Sequence, residues 1–354
     1  MFSEQTRAPM ISVIIPVHNA SATLKCCLEA VLTSDYSSYQ CIVVNDGSTD
    51  GSENVAGEFH TQVLNVPGGP LGPAYARNRG AEAASGNILF FVDADVVLPP
   101  SAVRQVANVF EAQPDLAAVF GSYDVHPRAH GVISQYRNLL HHFVHQNGAS
   151  EASTFWAGCG AIRRSVFEKI GGFDEQKFSR PSIEDIELGY RLREAGWRIL
   201  LDKTLQATHL KRWNLNSLIR TDITCRAIPW SWLILETREF PGDLNLKPEQ
   251  RASLALVGVA CVALLLAMMR PQWLAVTVAA LLGVAILNRK LYAFFYRQQG
   301  FVFAAVCFAL HLLYYFYSGA SYSSVWATFQ LRRVAAFRRF SVLSRWVDPP
   351  NPRI

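Results

Sequence analysis

The last hundred residues of the chain differ sharply in composition from everything before them. Residues 251–354 contain 11 Lys and Arg but a single acidic residue, Asp348, whereas residues 1–250 contain 22 Lys and Arg against 27 Asp and Glu. Two stretches of 18 uncharged, mainly apolar residues follow one another at 252–269 and 271–288. At a rise of ~1.5 Å per residue, each stretch can just cross a hydrocarbon core of about 30 Å. The pattern predicts a helical membrane hairpin attached to a mildly acidic body.

A third apolar segment, residues 298–331, follows the hairpin and contains no Lys, Arg, Asp or Glu. It is rich in Phe, Tyr, Trp and Leu, which is typical of membrane spans and makes a buried hairpin of a soluble protein the weaker interpretation. Basic residues follow both the hairpin and this segment, and positive charge favours the cytoplasmic side. A single span at 301–317 would separate the two basic stretches, whereas a re-entrant pair broken within 318–324 keeps both inside. We therefore expect a cytoplasmic C-terminus.

Composition excludes several classes of protein. Half of the residues are hydrophobic and 17% are charged, which is typical neither of a disordered chain nor of a nucleic-acid-binding protein, so no nucleic-acid partner is expected. The seven cysteines are scattered and form no Cys-x-x-Cys pair, which favours reduced thiols over a disulfide framework or a zinc site. The segment of residues 1–9 is short and polar and shows no signal-peptide pattern.

The acidic body alternates β-rich runs with helical patterns. Strands are predicted at 11–15, 40–45, 62–66 and 88–92, and helices at 21–32 and 74–84. This alternation predicts an α/β layer with a largely parallel sheet. Ligands of such sheets bind at the carboxyl ends of the strands, and here those ends carry the polar residues 16–19, 46–50 and 93–95. The sequence therefore predicts a nucleotide pocket at this edge of the sheet.

Asp93 and Asp95 directly follow a predicted buried strand. Two carboxylates one residue apart can hold a hard divalent cation through oxygen. Such a cation would bridge two phosphate oxygens and neutralise charge on a leaving diphosphate. The alternative is a solvated turn or a helix cap, and the two polar strand ends upstream favour the cation site.

Six short motifs occur in a fixed order: P-V-H-N at 16–19, N-D-G-S-T-D at 45–50, A-R-N-x-G at 76–80, D-A-D at 93–95, G-G-F-D at 171–174 and E-D at 184–185. In this combination, over residues 11–213, the chain resembles the family-2 inverting glycosyltransferases. The resemblance implies a glycosyltransferase A-type fold, which is the Rossmann-like α/β domain of nucleotide-diphospho-sugar transferases. It also implies a nucleotide diphosphate sugar as the donor and Mg²⁺ or Mn²⁺ as the metal.

The resemblance further implies roles on the donor side of the site. Pro16 and Asn19 would line the nucleoside pocket, and Asp46 would read the base. Asn78 would lie near the ribose or the diphosphate. The motif that binds the diphosphate and the metal would be Asp93 together with Asp95.

The second half of the body resembles the acceptor side of the family. Asp185 would be the general base that takes the acceptor's proton. The alternative is that Glu184 and Asp185 are first-turn acids favoured by the helix dipole. Gly158 and Gly160 would allow a ligand to approach the backbone closely. The predicted acceptor-binding residues are Trp156, Gly158, Gly160, Glu184, Arg212 and Trp213.

His209 lies where glycosyltransferases of the A type often place a third, imidazole, metal ligand. Processive members of the family carry Gln-x-x-Arg-Trp in this region, and here His209 occupies the Gln position while Arg212-Trp213 is retained. That departure argues against processive polymer synthesis. A further histidine group has no carboxylate near it in sequence and is expected to line the acceptor pocket rather than to bind metal: His141, His142 and His145.

These patterns divide the chain into a catalytic domain at 10–212, an interfacial amphipathic linker at 213–250, a transmembrane region at 251–331 and a basic cytoplasmic tail at 332–354. The leading hypothesis is an integral membrane enzyme with a cytoplasmic catalytic domain. It would transfer a sugar from a nucleotide diphosphate sugar to a lipid or lipid-linked hydroxyl acceptor. The alternatives are a processive polysaccharide synthase, a polyprenyl-phosphate glycosyltransferase, and a non-catalytic membrane scaffold with a relic nucleotide fold.

Overall fold

The computed structural model describes residues 10–59, 61–238 and 242–344, with side chains described to residue 333. Residues 1–9, where no signal peptide is predicted, and residues 345–354 of the predicted tail lie outside the described residues. The strands are β1 (Ile11–Val17), β2 (Tyr39–Asn45), β3 (Gln62–Asn65), β4 (Ile88–Val92), β5 (Val96–Val97), β6 (Leu116–Tyr123), β7 (Cys159–Arg163) and β8 (Arg198–His209). The helices are α1 (Ser21–Leu32), α2 (Ser52–Gly57), α3 (Pro73–Ala83), α4 (Ala102–Ala112), α5 (Val132–Gln146), α6 (Arg164–Ile170), α7 (Glu184–Glu194), α8 (Leu215–Thr221), α9 (Ile228–Thr237), α10 (Pro248–Ala267), α11 (Trp273–Leu287) and α12 (Arg289–Ser344).

The strands form one mixed sheet in the order β3-β2-β1-β4-β7-β6-β8-β5. The first four are parallel, as the alternation of strands and helices predicts. β7 then runs antiparallel between β4 and β6, so the expectation of a largely parallel sheet is wrong for the second half. The reason is that α5 stays beside the carboxyl end of β6, where His142 and His145 contact the carbonyls of Tyr123 and Gly121. β7 therefore starts near the carboxyl ends of β4 and β6 and runs antiparallel to both strands.

Helices cover both faces of the sheet. In β1, Val13 and Ile15 belong to a core with α1 and α4, whereas Ile14 between them belongs to a core with α3 and α7. This is the two-residue period of a strand buried on both sides. The prediction of an α/β body followed by a helical region is confirmed.

The register of the parallel strands brings the three polar strand ends together. Val17 lies opposite Asn45 in the pair β1–β2, and Ile14 lies opposite Phe91 in the pair β1–β4. The loops that follow these strands therefore leave the sheet at the same height. The polar residues 16–19, 46–50 and 93–95 consequently meet at one edge, as predicted.

The apolar C-terminal stretches form a helical hairpin, as the composition predicts. α10 packs against α11, and Gly283 lies so close to Leu256 that a Cβ atom on the glycine would be 3.0 Å from that side chain. At the open end of the hairpin, Asn288 donates to the Ser253 hydroxyl at 2.8 Å. Tyr315 of α12 donates to the Asn288 side chain at 3.1 Å, which ties the third apolar helix to the hairpin.

The helix α12 has one kink, at Gln299 and Gly300, and is continuous beyond it. The predicted break within 318–324 is therefore wrong. The Ser321 hydroxyl donates to the carbonyl of Tyr317 at 2.7 Å, so this serine is satisfied within the helix instead of interrupting it. Gly319 is a packing position, because a Cβ atom there would lie 3.3 Å from Leu254.

The body contacts α12 along much of its length. Three contacts mark the path: Phe295 packs on Tyr136 with ring centroids 6.0 Å apart, Tyr317 donates to Asp222 at 2.6 Å, and Phe329 packs on Trp232 at 6.0 Å. The partners of the last two contacts lie in the predicted linker, where α8, the π-helical segment Asp222–Ala227 and α9 follow one another without a break. Within residues 289–333, α12 therefore contacts the rest of the chain both near its beginning, at Phe295, and near its end, at Phe329.

Two helices are long and apolar enough to cross a membrane by length and composition, Pro248–Ala267 and Arg289–Arg333, and Trp273–Leu287 is a shorter apolar helix. Only 22% and 28% of the residues in their most apolar windows are buried, unlike the core helices of a soluble protein. Exposed apolar side chains include Leu265, at 67%, and Ile286, at 62%. An apolar surface of this extent marks a membrane or protein contact.

We predict that the full chain resists extraction from membranes at alkaline pH. A chain that ends at Leu246 lacks α10, α11 and α12, and with them the exposed apolar surface. It is therefore expected to appear in the soluble fraction, which an immunoblot of the two fractions measures. If the shortened chain also stays with the membrane, the apolar helices are not the anchor.

Candidate functional site

The end of β2 fixes the glycine-rich loop that follows β3. Asp46 is buried, and its carboxylate oxygens accept hydrogen bonds from the backbone N–H groups of Leu71 and Gly72, each at 2.8 Å. A Cβ atom on Gly47 would lie 2.7 Å from the backbone of Gly69, so the loop packs directly on this turn. Asp46 therefore shapes the loop, and its reading of a base stays a prediction.

The end of β1 is bonded to the same turn. The Oδ1 atom of Asn19 accepts a hydrogen bond from the Thr49 N–H at 2.8 Å, and Asn19 has a positive φ of 52°. The Nδ1 atom of His18 lies 2.8 Å from the carbonyl oxygen of Asp46. Pro16 is the next-to-last residue of β1. The structure thus brings Pro16, Asn19 and Asp46, the predicted nucleoside-site residues, to one edge.

A buried arginine joins two parts of the site that lie far apart in sequence. Arg77 of α3 donates through Nη2 to Asp93 Oδ1 and through Nη1 to Glu184 Oε1, both at 2.8 Å. Burial alone would lower the pKa of Arg77, but Asp93 and Glu184 outweigh it and raise that pKa above its ordinary value. The motif at 76–80 contains Arg77, but a helical arginine is most often a solvated surface group. Its burial was the missing signal.

The neighbouring Asn78 holds a different segment. Its amide donates to the carbonyl of Phe173 at 2.9 Å and accepts from the N–H of the same residue at 3.0 Å. It also donates to the Glu175 carboxylate at 2.9 Å. Gly172 has a φ of 67°, and a Cβ atom there would lie 2.8 Å from the Asn78 oxygen. The α3 side chain that contacts Asp93 is thus Arg77, and a place for Asn78 beside the ribose or diphosphate stays a prediction.

Asp95 and His209 come together through the antiparallel pair β5–β8. The Nε2 atom of His209 lies 3.4 Å from Asp95 Oδ2, and Nδ1 lies 2.6 Å from the side-chain oxygen of Asn138. An amide oxygen only accepts, so Nδ1 is the donor of this second contact, and Nε2 faces Asp95. Tyr123 stacks on the imidazole with ring centroids 4.3 Å apart. The imidazole is therefore held in place from two directions.

Asp95 and His209 fit a divalent ion. Two neighbouring ligands bound at about 2.1 Å to one ion lie roughly 3–3.5 Å apart, and the contact between these two side chains has that length. A carboxylate with an imidazole is a donor set that Mn²⁺ accepts. Asp93 differs, because Arg77 holds its Oδ1. Among the residues that the structure describes, no three His, Cys, Asp or Glu side chains form a metal cluster, so Asp93, Asp95 and His209 are not brought together as three ligands.

Gly158 and Gly160 make room for an aromatic residue of the chain itself. A Cβ atom on Gly158 would lie 2.7 Å from the Trp156 indole, and one on Gly160 would lie 2.2 Å from the Trp156 carbonyl oxygen. Trp156 packs edge-on against Tyr123 at 4.8 Å and lies 4.7 Å from His141. The two glycines are thus explained without the predicted close approach of a ligand. Trp156 therefore packs on Tyr123, and Tyr123 in turn stacks on the imidazole of His209.

The three histidines of α5 pack beside the site as neutral groups. Burial lowers the pKa of His141, His142 and His145, the last to about 4. His142 and His145 contact backbone carbonyls of β6, as described above, and His141 packs 4.4 Å from the Tyr123 ring. Within the described part of the chain these histidines form no metal cluster, and their lining of an acceptor pocket stays a prediction.

Asp185 stands in the first turn of α7, directly after Glu184. Its Oδ2 accepts a hydrogen bond from the Ala157 N–H at 3.1 Å, and its Oδ1 accepts from the Ile186 N–H at 2.8 Å. Burial, and then the charge of Glu184, raise the pKa of Asp185 to about 7, although Arg77 opposes this. A helix N-terminus alone would lower this pKa, so a first-turn acid does not account for it. A carboxylate poised near neutrality has the property of a general base.

Trp213 is buried between the body and α12. Its ring joins the apolar cluster of Tyr136 and Phe295, and its backbone N–H donates to the Ser134 hydroxyl at 2.8 Å. Arg212 beside it is exposed. Trp213 therefore anchors the C-terminal helices, and acceptor binding by either residue stays a prediction.

A second buried charged group connects α5, the π-helical segment and α12. Asp222 accepts hydrogen bonds from Arg226 and Tyr317, each at 2.6 Å, and lies 3.8 Å from the guanidinium of Arg137. Burial, and then repulsion from Arg137, lower the pKa of Arg226. Two arginines thus share one carboxylate at the junction of the body and the C-terminal helices.

Known proteins resemble this chain in both sequence and fold. The family model described as "Glycosyl transferase family 2" matches residues 12–171. The chain is 36% identical over 117 residues to the glycosyltransferase GlyA of Streptococcus pneumoniae, covering 32% of this chain and 16% of that protein. It is 27% identical over 206 residues to the probable glycosyltransferase YdaM of Bacillus subtilis, covering 54% and 48%. The chain thus spans about half or less of the length of these relatives.

A solved structure matches most of the chain. The mannosyltransferase PcManGT of Pyrobaculum calidifontis, in complex with GDP-Man and Mn²⁺, is 19% identical, and the match covers 90% of this chain and 88% of that one with a TM-score of 0.58. At this identity the likeness shows the fold, and it confirms the predicted glycosyltransferase A-type architecture. The model of glycosyl transferase family 2 matches residues 12–171, a little under half of the chain, so the body is similar to that family.

Proposed function

We propose that the protein is a membrane-attached inverting glycosyltransferase. It moves a sugar from a nucleotide diphosphate sugar to a hydroxyl of a lipid or lipid-linked acceptor at the cytoplasmic leaflet. The observation that carries the proposal is Asp185, whose pKa is raised to about 7 and whose neighbour Glu184 is joined through Arg77 to Asp93. A hydroxyl needs such a base in order to attack, whereas a phosphate acceptor is already an anion at neutral pH.

The donor would bind at the edge formed by the ends of β1, β2 and β4. The complex of the structural relative PcManGT with GDP-Man and Mn²⁺ supports a nucleotide diphosphate sugar and a divalent metal. Asp95 and His209 would hold the ion, which when bound supplies positive charge to the leaving diphosphate. Asp46 would keep the glycine-rich loop in place beside the nucleotide, since its carboxylate holds the N–H groups of that loop.

On the acceptor side, Asp185 would take the hydroxyl proton as the oxygen attacks the anomeric carbon. Attack from the face opposite to the diphosphate inverts the configuration of that carbon. Burial and the charge of Glu184 give Asp185 the proton affinity that this step requires, and Arg77 limits the increase. Two backbone N–H groups, those of Ala157 and Ile186, fix the orientation of the carboxylate.

The membrane part of the proposal is supported by the exposed apolar helices and by charge. Nucleotide sugar donors are found in the cytoplasm, which places the body on that side. Tyr317 and Phe329 contact Asp222 and Trp232 of the linker, which supports a position of α12 on the side of the body up to residue 329. This arrangement favours a cytoplasmic C-terminus without a re-entrant pair.

The alternatives are less well supported. Among the described residues, one hairpin and one further apolar helix favour single transfer over the channel of a processive synthase, and His209 replaces the Gln of the processive motif. A relic scaffold would have no use for a carboxylate whose pKa lies near 7, because strongly shifted pKa values cluster at functional sites.

We predict that turnover depends on a divalent metal. Asp95→Ala removes one of the two ion ligands, so release of nucleotide diphosphate is expected to fall on the order of hundredfold or more, and excess chelator should have the same effect on the unchanged protein. Asp115→Ala is the matched control, since Asp115 pairs with Arg198 on the surface. Full activity in excess chelator would contradict the metal site.

We predict that Asp185→Asn lowers the rate of sugar transfer by ~10²–10⁴ while donor binding is retained, because the amide keeps the shape but cannot accept the proton. Single-turnover transfer and nucleotide binding measure the two effects separately. Asp202→Asn serves as the control, since Asp202 is a half-buried aspartate whose Oδ1 accepts hydrogen bonds from Thr204. Transfer at the unchanged rate, or a product cleaved by mild acid as a sugar phosphate, would overturn the hydroxyl acceptor.

We predict a pH dependence that Arg77 controls. Below its pKa Asp185 is protonated and cannot act as a base, so kcat/KM should fall as the pH drops through about 7. Arg77→Gln removes a cation that lowers this pKa, and the midpoint should move up by roughly one unit or more. Arg79→Gln removes a half-exposed cation of the same helix, which pairs with Glu82, and should leave the midpoint in place. Equal midpoints in the two variants would show that Arg77 does not control the pKa of Asp185.

A further inference from the structure

A groove of about 580 Å³ lies where the end of α5 meets the beginning of α12. Three of the side chains that line it are cations, Arg289, Lys290 and Arg297, and Phe143 and Phe294 supply apolar surface between them. No acidic side chain lines the groove in the part of the chain that the structure describes. None of the three cations belongs to an ion pair among those described residues. The groove therefore has the charge to hold an anion.

The groove lies at the open end of the apolar hairpin. Lys247, directly before α10, donates to the carbonyl of Asn147, which lines the groove, at 2.5 Å. α11 ends at Leu287, two residues before the first cation of the groove. Both helices of the hairpin thus start or end here. Further along α11, Leu282 and Ile286 are exposed at 58% and 62%.

We propose that this α5–α12 groove binds the headgroup of an anionic phospholipid, whose acyl chains lie against Leu282 and Ile286. The proposal rests on the membrane attachment proposed above. Basic pockets beside the cytoplasmic ends of apolar helices suit acidic headgroups, and guanidinium groups bind phosphate oxygens in pairs. A free anion would use the cations alone, whereas a phospholipid uses the cations and the exposed apolar surface next to them.

The groove is connected to the site through α5. His142 lines the groove and contacts the carbonyl of Tyr123 at 2.7 Å. Tyr123 in turn stacks on His209, one of the two residues that fit the metal. A lipid in the groove would therefore bind next to the helix that orients the imidazole through Asn138.

The test measures binding of short-chain lipids to the full-length protein in a neutral detergent, followed by tryptophan fluorescence. Dioctanoyl phosphatidylglycerol is expected to bind roughly tenfold or more tightly than dioctanoyl phosphatidylcholine. Arg289→Gln, Lys290→Gln and Arg297→Gln in one chain should abolish this preference. The matched control removes three positive charges elsewhere on the body, by Lys25→Gln, Lys169→Gln and Lys203→Gln, and should retain it.

An equal affinity for the two lipids, or a preference that survives in the groove variant, would overturn the proposal. Inorganic phosphate provides a further arm: if it displaces phosphatidylglycerol at the concentration of the lipid itself, the groove is a free-anion site and the lipid assignment is wrong. Alkaline extraction and metal-dependent turnover of the same protein test the proposed function separately. A protein that stays in the membrane but shows no lipid preference would overturn only the groove.

Discussion

The geometry of the site depends on the two hydrogen-bonded ion pairs of Arg77. Its partners Asp93 and Glu184 are 16 and 107 residues away in the chain, so the guanidinium fastens the carboxyl end of β4 to the first turn of α7. The side chains of Arg77 and Glu184 are each 6% exposed, and loss of one partner of such a buried pair costs about 3–5 kcal/mol because a charge is left unpaired, whereas the side chain of Asp93 is 34% exposed. Glu184 precedes Asp185 in the chain, and its charge raises the pKa of Asp185. One side chain thus fixes the end of β4 relative to α7 and lowers the pKa of Asp185, the proposed base.

The sequence was sufficient for the features that depend on local pattern. The β-rich runs and the polar residues after them predicted three strand ends at one edge, and parallel register then brings residues such as Val17 and Asn45 to the same height. It was not sufficient for contacts that only the folded chain creates. Nothing in the helical pattern around Arg77 indicates that its side chain is buried. Likewise, no sequence pattern indicates that Asn138 of α5 contacts His209, because that contact forms only when β8 joins the sheet. The packing of Gly158 and Gly160 is a further contact of this kind, since an atom that excludes a side chain at each position belongs to Trp156.

In the C-terminal region, too, the sequence predicts the helices themselves but not the contacts that decide the course of α12. Counting charges and apolar residues predicts the hairpin, because helix length and hydropathy are local properties. The course of α12 depends on specific partners instead. The serine-rich residues 318–324 look like an interruption, but Ser321 bonds within its own helix and Gly319 packs on Leu254. Tyr317 donates a hydrogen bond to Asp222. Asp222 lies in the predicted linker, so its sequence position does not indicate that its carboxylate is buried.

These contacts make α5 the element that connects the polar edge of the sheet with the C-terminal helices. Asn138 orients the imidazole of the site, Arg137 faces the buried Asp222, and Gln135 accepts a hydrogen bond from Gln299 at the kink of α12 at 2.6 Å. A movement of α12 away from the body would break the bond at the kink and expose Tyr136, one of the largest fully buried side chains. It would also leave Asp222 with one hydrogen bond fewer in a buried place, which is unfavourable. The hydrogen bond that orients His209 and the contacts that hold α12 therefore lie on the same helix.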